Sequence, residues 1–201
     1  MLTTLVALAA IGGADTGRYT RSGLWFQEMG SGPAVVLIHG ADLDSRSFGP
    51  VAERLAPAHR VILLDLRFHG RSRDSGGPFS FEGDVLEVLD AAGVDRATLV
   101  GHSLGSAVAL DVALARPDRV ERLVLIGPSI GGRPASKMPA GMEAMIAALK
   151  AGDLDRAGIV LSQMPVMTLY RRTDRQAGVA AMVRSNTKLL AADRTRVKPL
   201  G

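Results

Sequence analysis

The 201-residue chain contains no cysteine, which excludes disulfides, thiolate metal sites and a cysteine nucleophile. Aromatic residues make up only 4%, too few for the stacking platforms that hold single-stranded nucleic acid. No apolar run approaches the roughly 18–20 residues that a membrane-spanning helix needs, so no membrane span is expected. There is no internal repeat and no low-complexity segment. No metal-ligand spacing is present, and no cofactor is implied. Histidine is missing after residue 102: the four in the chain are His39, His59, His69 and His102.

What is present is ordinary for a globular protein. Hydrophobic residues account for 47% and charged residues for 22%, which excludes disorder and collagen-like repeats. The length suits one domain, or one domain carrying an inserted lobe. Charge is unevenly distributed: residues 1–132 hold 12 Arg against 15 Asp and Glu, while residues 133–201 hold 8 Arg and 4 Lys against 5 Asp and Glu. A basic C-terminal third could attract anions, but its cations are scattered among Ala, Met, Leu and Asp rather than clustered with aromatics, so nucleic acid is not an expected partner. Arg171, Arg172 and Arg175 read as a solvated face.

Residues 1–14 stand apart. Leu5 to Ile11 has the length of a signal-peptide apolar core, and Gly12-Gly13-Ala14 offers small residues for cleavage, but Met1-Leu2-Thr3-Thr4 lacks the usual positive charge. The segment therefore reads as a signal peptide or as an N-terminal extension packed on the domain. The expected compartment is the cytoplasm, or a secreted or periplasmic location if residues 1–14 are cleaved.

From Tyr19 onward, short apolar runs alternate with helical patterns. Ala34 to Ile38, Arg60 to Asp65, Ala97 to Gly101 and Leu123 to Gly127 read as strands buried on both faces, the mark of a parallel sheet covered by helices. Helices are expected from Ser47 to Leu55, from Phe81 to Ala92 with Gly93 as the stop, and from Leu104 to Arg116 ahead of Pro117. The last is apolar nearly all round, which predicts a central, buried helix. The alternation gives an α/β fold, a mostly parallel sheet with helices on both faces. After Pro128 the texture changes. Gly131 to Pro134 reads as a linker. Met142, Met145, Ile146 and Leu149 line one helix, Asp153 caps a second carrying Leu154, Ala157, Leu161 and Met164, and a third is expected from about Arg175 to Leu190. The organisation is thus a core over 15–130, a helical cap over 131–195, and a final piece, 196–201, that looks like the start of a further core strand. Six of the eight Met lie beyond residue 130, as gap-filling core or as a pliable apolar lining above a site.

The chemistry-bearing segment is Gly101-His102-Ser103-Leu104-Gly105, between a buried strand and a helix. G-x-S-x-G in that context thrusts a serine out at a tight turn, where only glycine lets neighbouring segments pass close by. The turn also aims the first helical N–H groups at the place where an oxyanion would form. A phosphate-binding turn fits less well, because dinucleotide sites want G-x-G-x-x-G and Ser103 breaks that pattern.

These residues resemble the α/β-hydrolase family. Gly30-Ser31-Gly32-Pro33 leading into Ala34 to Gly40 is similar to the family's oxyanion strand. Asp65 to Ser72 resembles its D-x-R-G-H-G-x-S loop, with Phe68 in place of a glycine. Gly101 to Gly105 matches the nucleophile elbow, and Arg116 through Ile126 the next strand and its lead-in. Within the family the chain is most similar to the small esterase, lactonase and peroxidase-like branch, since Ser103 stands where other branches carry aspartate. The resemblance implies Ser103 as nucleophile, the backbone N–H groups of Leu104 and Ala41 as oxyanion donors, and an ester, lactone or similar acyl substrate.

The resemblance also implies a triad acid and a histidine after the serine, and neither is identifiable. No histidine follows His102; that residue adjoins Ser103, so its side chain should point away, and His39 and His69 fall at structural loop positions. Asp153, Asp155, Asp174 and Asp193 follow no strand. The expectation is a hydrolase shortened at its C-terminus, with impaired catalysis and an unpaired sheet edge prone to self-association. The alternative is a non-catalytic ligand-binding or interaction protein on the same scaffold.

Overall fold

The computed structural model describes residues 16–128, 141–164, 178, 181–186 and 196. Six strands form one sheet: β1 (Arg18–Tyr19), β2 (Trp25–Met29), β3 (Ala34–Ile38), β4 (Arg60–Leu64), β5 (Ala97–His102) and β6 (Val120–Ile126), in the spatial order β1-β2-β4-β3-β5-β6. β3 pairs in parallel with both β4 and β5, and β5 with β6. β1 and β2 add an antiparallel margin beside β4. That margin is absent from the sequence expectations. Only Trp25 and Phe26 of β2 are buried, and the half-exposed Gln27, Glu28 and Met29 hide its strand character.

Alternation along the central strands divides the core in two. Val36, Ile38, Ile62, Leu64 and Leu99 face α2 (Phe81–Ala92) and α3 (Leu104–Ala115), meeting Val85, Val88, Leu89, Val108 and Val112. Val35, Leu37, Val61 and Leu63 face the opposite side, against Phe48 and Ala52 from the 3-10 turn Ser45–Phe48 and from α1 (Gly49–Leu55). Each such aliphatic side chain contributes about 1.5–3 kcal/mol on burial, so the parallel strands are the most secure part of the chain. Helix ends follow local chemistry. Ser80 Oγ accepts from the Gly83 N–H to start α2, and Gly93, at φ 65°, turns left-handed to end it.

Two expectations about burial need correction. α3 is not buried all round: Val108, Ala109 and Val112 are, but Leu114 is 69% exposed on its outer side. β6 is buried on one face only. Leu123 and Leu125 pack on the core cluster, while Val124 and Ile126 are each 45% exposed. No helix or strand among the described residues covers that second face.

Beyond the sheet lie α4 (Met142–Lys150) and α5 (Leu154–Gln163), with residues 181–185 also helical. Asp153 caps α5 as expected, its side chain accepting from the Arg156 N–H at 3.0 Å. Met145, Ala148, Ala157, Leu161, Met164, Met182 and Val183 form a separate apolar cluster, and Leu43, from the loop after β3, is inserted into it. This is the helical layer expected as a cap. Residues 1–14, the linker Gly131 to Pro134, most of the third expected helix, Arg171, Arg172, Arg175, Asp174, Asp193 and the final residues 197–201 lie outside the described residues.

Candidate active site

β5 ends at His102 and α3 begins at Leu104, so a single residue, Ser103, makes the turn. Its backbone sits at φ 52° and ψ −114°, a conformation that costs a non-glycine residue about 1–3 kcal/mol and persists only where the surroundings impose it. They do so here through hydrogen bonds and crowding. The Ser103 N–H donates to the Ile126 carbonyl at 2.9 Å, tying the turn to the end of β6. Ser106 Oγ donates to the Gly101 carbonyl at 2.6 Å and accepts from the Ile126 N–H at 3.1 Å. A Cβ on Gly101 would lie 2.2 Å from the Gly105 carbonyl oxygen, and one on Gly105 would lie 2.1 Å from that of Ile38. Both glycines of the motif are therefore required by the approach of backbone to backbone.

Ser103 itself is half-buried, and no hydrogen bond holds its hydroxyl among the described residues. Leu104 stands at the first position of α3, where a helix leaves its N–H without an intrahelical acceptor. The loop after β3 passes beside the turn: a Cβ on Gly40 would lie 3.3 Å from Ser103 Cβ. Ala41 follows directly and is exposed. Ser103, Leu104 and the loop that carries Ala41 thus lie side by side at the ends of β5 and β3.

No hydrogen bond among the described residues joins a histidine ring to the Ser103 hydroxyl. His39 is fully buried, and both ring nitrogens are engaged: Nδ1–H donates to the Gly40 carbonyl at 2.8 Å, and Nε2 accepts from the Leu66 N–H at 2.9 Å. Burial holds its pKa below the usual imidazole value. His69 donates from Nδ1 to the Arg67 carbonyl at 2.8 Å and packs edge-on against His39, with ring centroids 4.9 Å apart. Desolvation, followed by the charge that His39 would carry, pushes its pKa down to about 3. The ring of His102 turns toward the β3 loop, its Nδ1 2.9 Å from where a Gly40 Cβ would be, and burial lowers its pKa too. His59 lies apart, with Nδ1 at 3.3 Å from the Leu55 carbonyl. Asp155, one of the lobe carboxylates, is occupied by an ion pair with Arg184.

The buried, neutral imidazoles have a consequence for stability. With folded pKa values below the unfolded value of about 6.5, the unfolded chain binds more protons as the pH falls. The stabilisation is complete above that value and is lost progressively from about pH 6.5 downward, by up to ~1.4 kcal/mol per pH unit for each imidazole held neutral. Urea midpoints are expected to drop between pH 6.5 and 5, above the main carboxylate range. A flat profile there would contradict the assignment.

The loop after β4 is held as firmly. The Asp65 carboxylate, fully buried, accepts from the N–H groups of Ser45 (2.9 Å) and Arg71 (2.8 Å). Phe68, where a glycine was expected, adopts φ 67°. Its ring is buried and packs edge-on against Phe79 at 5.3 Å, a contact that offsets the backbone strain.

These features coincide with a known family. A family model described as the alpha/beta hydrolase fold matches residues 33–183. The chain belongs to this family. Among solved structures the chain resembles an esterase from Rhodococcus sp. ECU1013, at 27% identity and TM-score 0.71 over 88% of this chain and 70% of that one. A hydrolase from Pseudomonas aeruginosa PA01 is similar at 27% identity and TM-score 0.68, over 88% and 71%. Among curated relatives, an uncharacterised protein of Mycobacterium tuberculosis is 40% identical over 135 residues, covering 60% of this chain and 38% of the relative. The chain thus spans well under half the length of that relative. Among the described residues no cluster of His, Asp and Glu could hold a metal ion, and no helix is long and apolar enough to cross a membrane.

Proposed function

We propose that this chain is a serine hydrolase of the esterase and lactonase type, in which Ser103 attacks the carbonyl of a small carboxylic ester, lactone or similar acyl substrate. The observation that carries the proposal is the strained backbone of Ser103, φ 52° on a half-buried residue at the strand-to-helix turn. The hydroxyl oxygen would bond to the acyl carbon, its proton passing to water or to an added base as the alcohol leaves. The N–H groups of Leu104 and Ala41 would receive the developing oxyanion, each donor being worth roughly 2.7–4 kcal/mol in the transition state. The similarity to the Rhodococcus esterase supports the reaction class.

Catalysis by these 201 residues is proposed to be impaired, since the sequence has no histidine after His102. His39 has both ring nitrogens committed. The same observation favours a second reading, a non-catalytic ligand-binding or interaction protein on the same scaffold. A fluorophosphonate probe separates the two: a covalent adduct on Ser103 supports the hydrolase, and its absence under saturating probe supports the binder.

Self-association through β6 belongs to the same proposal, supported by the exposure of Val124 and Ile126 at the outermost strand. Size-exclusion chromatography is expected to show a dimer or larger species that Ile126→Lys returns toward the monomer. A monomeric elution of the unsubstituted chain would count against it.

A further inference from the structure

The loop that carries Ala41 is not held by the sheet alone. Asp42 adopts φ 61°, a left-handed backbone unusual for a residue with a side chain. Its carbonyl accepts a hydrogen bond at 3.2 Å from Asn186 Nδ2, 144 positions away. The other end of the same carboxamide, Oδ1, accepts from the Gly70 N–H at 2.6 Å. The two partners, a carbonyl and an N–H, fix the orientation of the amide unambiguously. Asn186 is 3% exposed. One side chain of the helical layer therefore bridges the loop after β3 to the loop after β4.

Neighbouring contacts fasten the same place. Leu43 is buried in the apolar cluster of the helical layer, beside Met182 and Val183. Arg46 Nη2 donates to Ser185 Oγ at 2.7 Å while also pairing with Asp44. These contacts anchor the loop as a body. The Ala41 N–H shares its peptide with the Gly40 carbonyl, which accepts from His39 Nδ1 at 2.8 Å and from the Leu43 N–H at 3.3 Å. That Leu43 N–H belongs to the same peptide as the Asp42 carbonyl, so the Asn186 bond steadies the group that in turn holds the Ala41 peptide.

We infer that Asn186 is a positioning residue for the Ala41 N–H, so that the helical layer sets the geometry in which an oxyanion is received at Ser103. The inference rests on the serine-hydrolase reading. Asn186 touches no reacting atom; it acts through Asp42. Loss of the bond frees the Asp42 carbonyl, and the Leu43 N–H to Gly40 carbonyl contact that orients the Ala41 peptide loosens with it. Binding of the acyl group's apolar part is not affected by that loosening, whereas stabilisation of the oxyanion is.

The test compares the full chain with Asn186→Leu, close in size and unable to form either bond, and Asn186→Asp, which keeps the acceptor for Gly70 and loses the donor to Asp42. Two measurements are made. The first is the rate of Ser103 phosphonylation by a fluorophosphonate, resolved into the limiting rate and the half-saturating concentration. Both variants are expected to lose about 10- to 100-fold in the limiting rate, approaching the loss of one oxyanion donor, with half-saturation unchanged. The second is amide hydrogen exchange, expected to accelerate over residues 41–43 and not at Leu104. A limiting rate within twofold of the parent, or a loss confined to half-saturation, overturns the inference. If Ser103 of the parent takes no label, the hydrolase reading fails separately, and unchanged exchange over 41–43 would then refute the positioning role as well. Should Asn186→Leu not fold, Asn186→Asp carries both measurements.

Discussion

Replacing Gly105 by alanine is expected to destabilise the protein by about 3 kcal/mol or more, toward the upper end of what overpacking usually costs. The sign is not obvious, because alanine in a helix is favoured over glycine by about 1 kcal/mol. Space decides it. The added carbon would lie 2.1 Å from the Ile38 carbonyl oxygen and 2.7 Å from that of His39. Both obstacles are backbone of a central strand and its end, so neither can swing aside as a side chain would. α3 must back away from β3, and the contacts of Val108 and Val112 with the sheet open with it. Domains of this size are stable by only about 5–15 kcal/mol in total, so the loss is a large fraction. Urea unfolding monitored by circular dichroism checks it, with Gly49→Ala as the control. A methyl group on Gly49 would meet nothing within 4 Å, and the backbone there has no positive φ, so its substitution should be neutral. An unchanged urea midpoint for Gly105→Ala would show that the elbow is looser than its geometry.

Turnover is the second large expectation. In serine hydrolases loss of the histidine lowers kcat by about 10⁶, and the oxyanion hole with binding leaves roughly 10³–10⁴ over water. The chain should therefore hydrolyse p-nitrophenyl acetate only at that residual level. Nucleophile and base act as a unit, so Ser103→Ala is expected to change this residual rate little. The informative signal is covalent: an acetyl group on the peptide containing Ser103, seen by mass spectrometry and absent from Ser103→Ala. Fast turnover that Ser103→Ala abolishes would overturn the claim of impairment, because it would require an efficient base acting on Ser103.

Much of this arrangement was legible in the amino-acid order. The runs at Ala34, Arg60 and Ala97 announce strands because continuous apolar sequence suits a strand covered on both faces, and the run at Leu123 announces one too, although its second face is exposed. Phe81 to Ala92 carries its own start and stop, a serine cap and a left-handed glycine. The strand-to-helix turn at Ser103 was legible because strand, glycines and helix surround it in a fixed spacing. What the order of residues conceals is non-local. β2 presents Gln27 and Glu28 to partial solvent, and its membership of the sheet is decided by pairing with β4, 32 to 38 residues onward. The exposure of Leu114 and Val124 depends on which elements cover them, which apolarity alone does not state. Asn186 carried no signal: an asparagine in a helical pattern reads as surface until its partners at Asp42 and Gly70 are seen. Left-handed glycines are readable from type, whereas Phe68 is held at φ 67° by a ring contact no pattern encodes.

The two sides of the sheet and the helical layer keep separate apolar interiors, and among the described residues the layer's interior takes in Leu43 alone from outside. Substitutions among Met145, Leu161 and Met164 are therefore nearly independent, in energy, of those among the strands. Selection can recast the interior of the helical layer without loosening the scaffold that strains the serine, provided the short stretch from Asp42 to Leu43 keeps its grip.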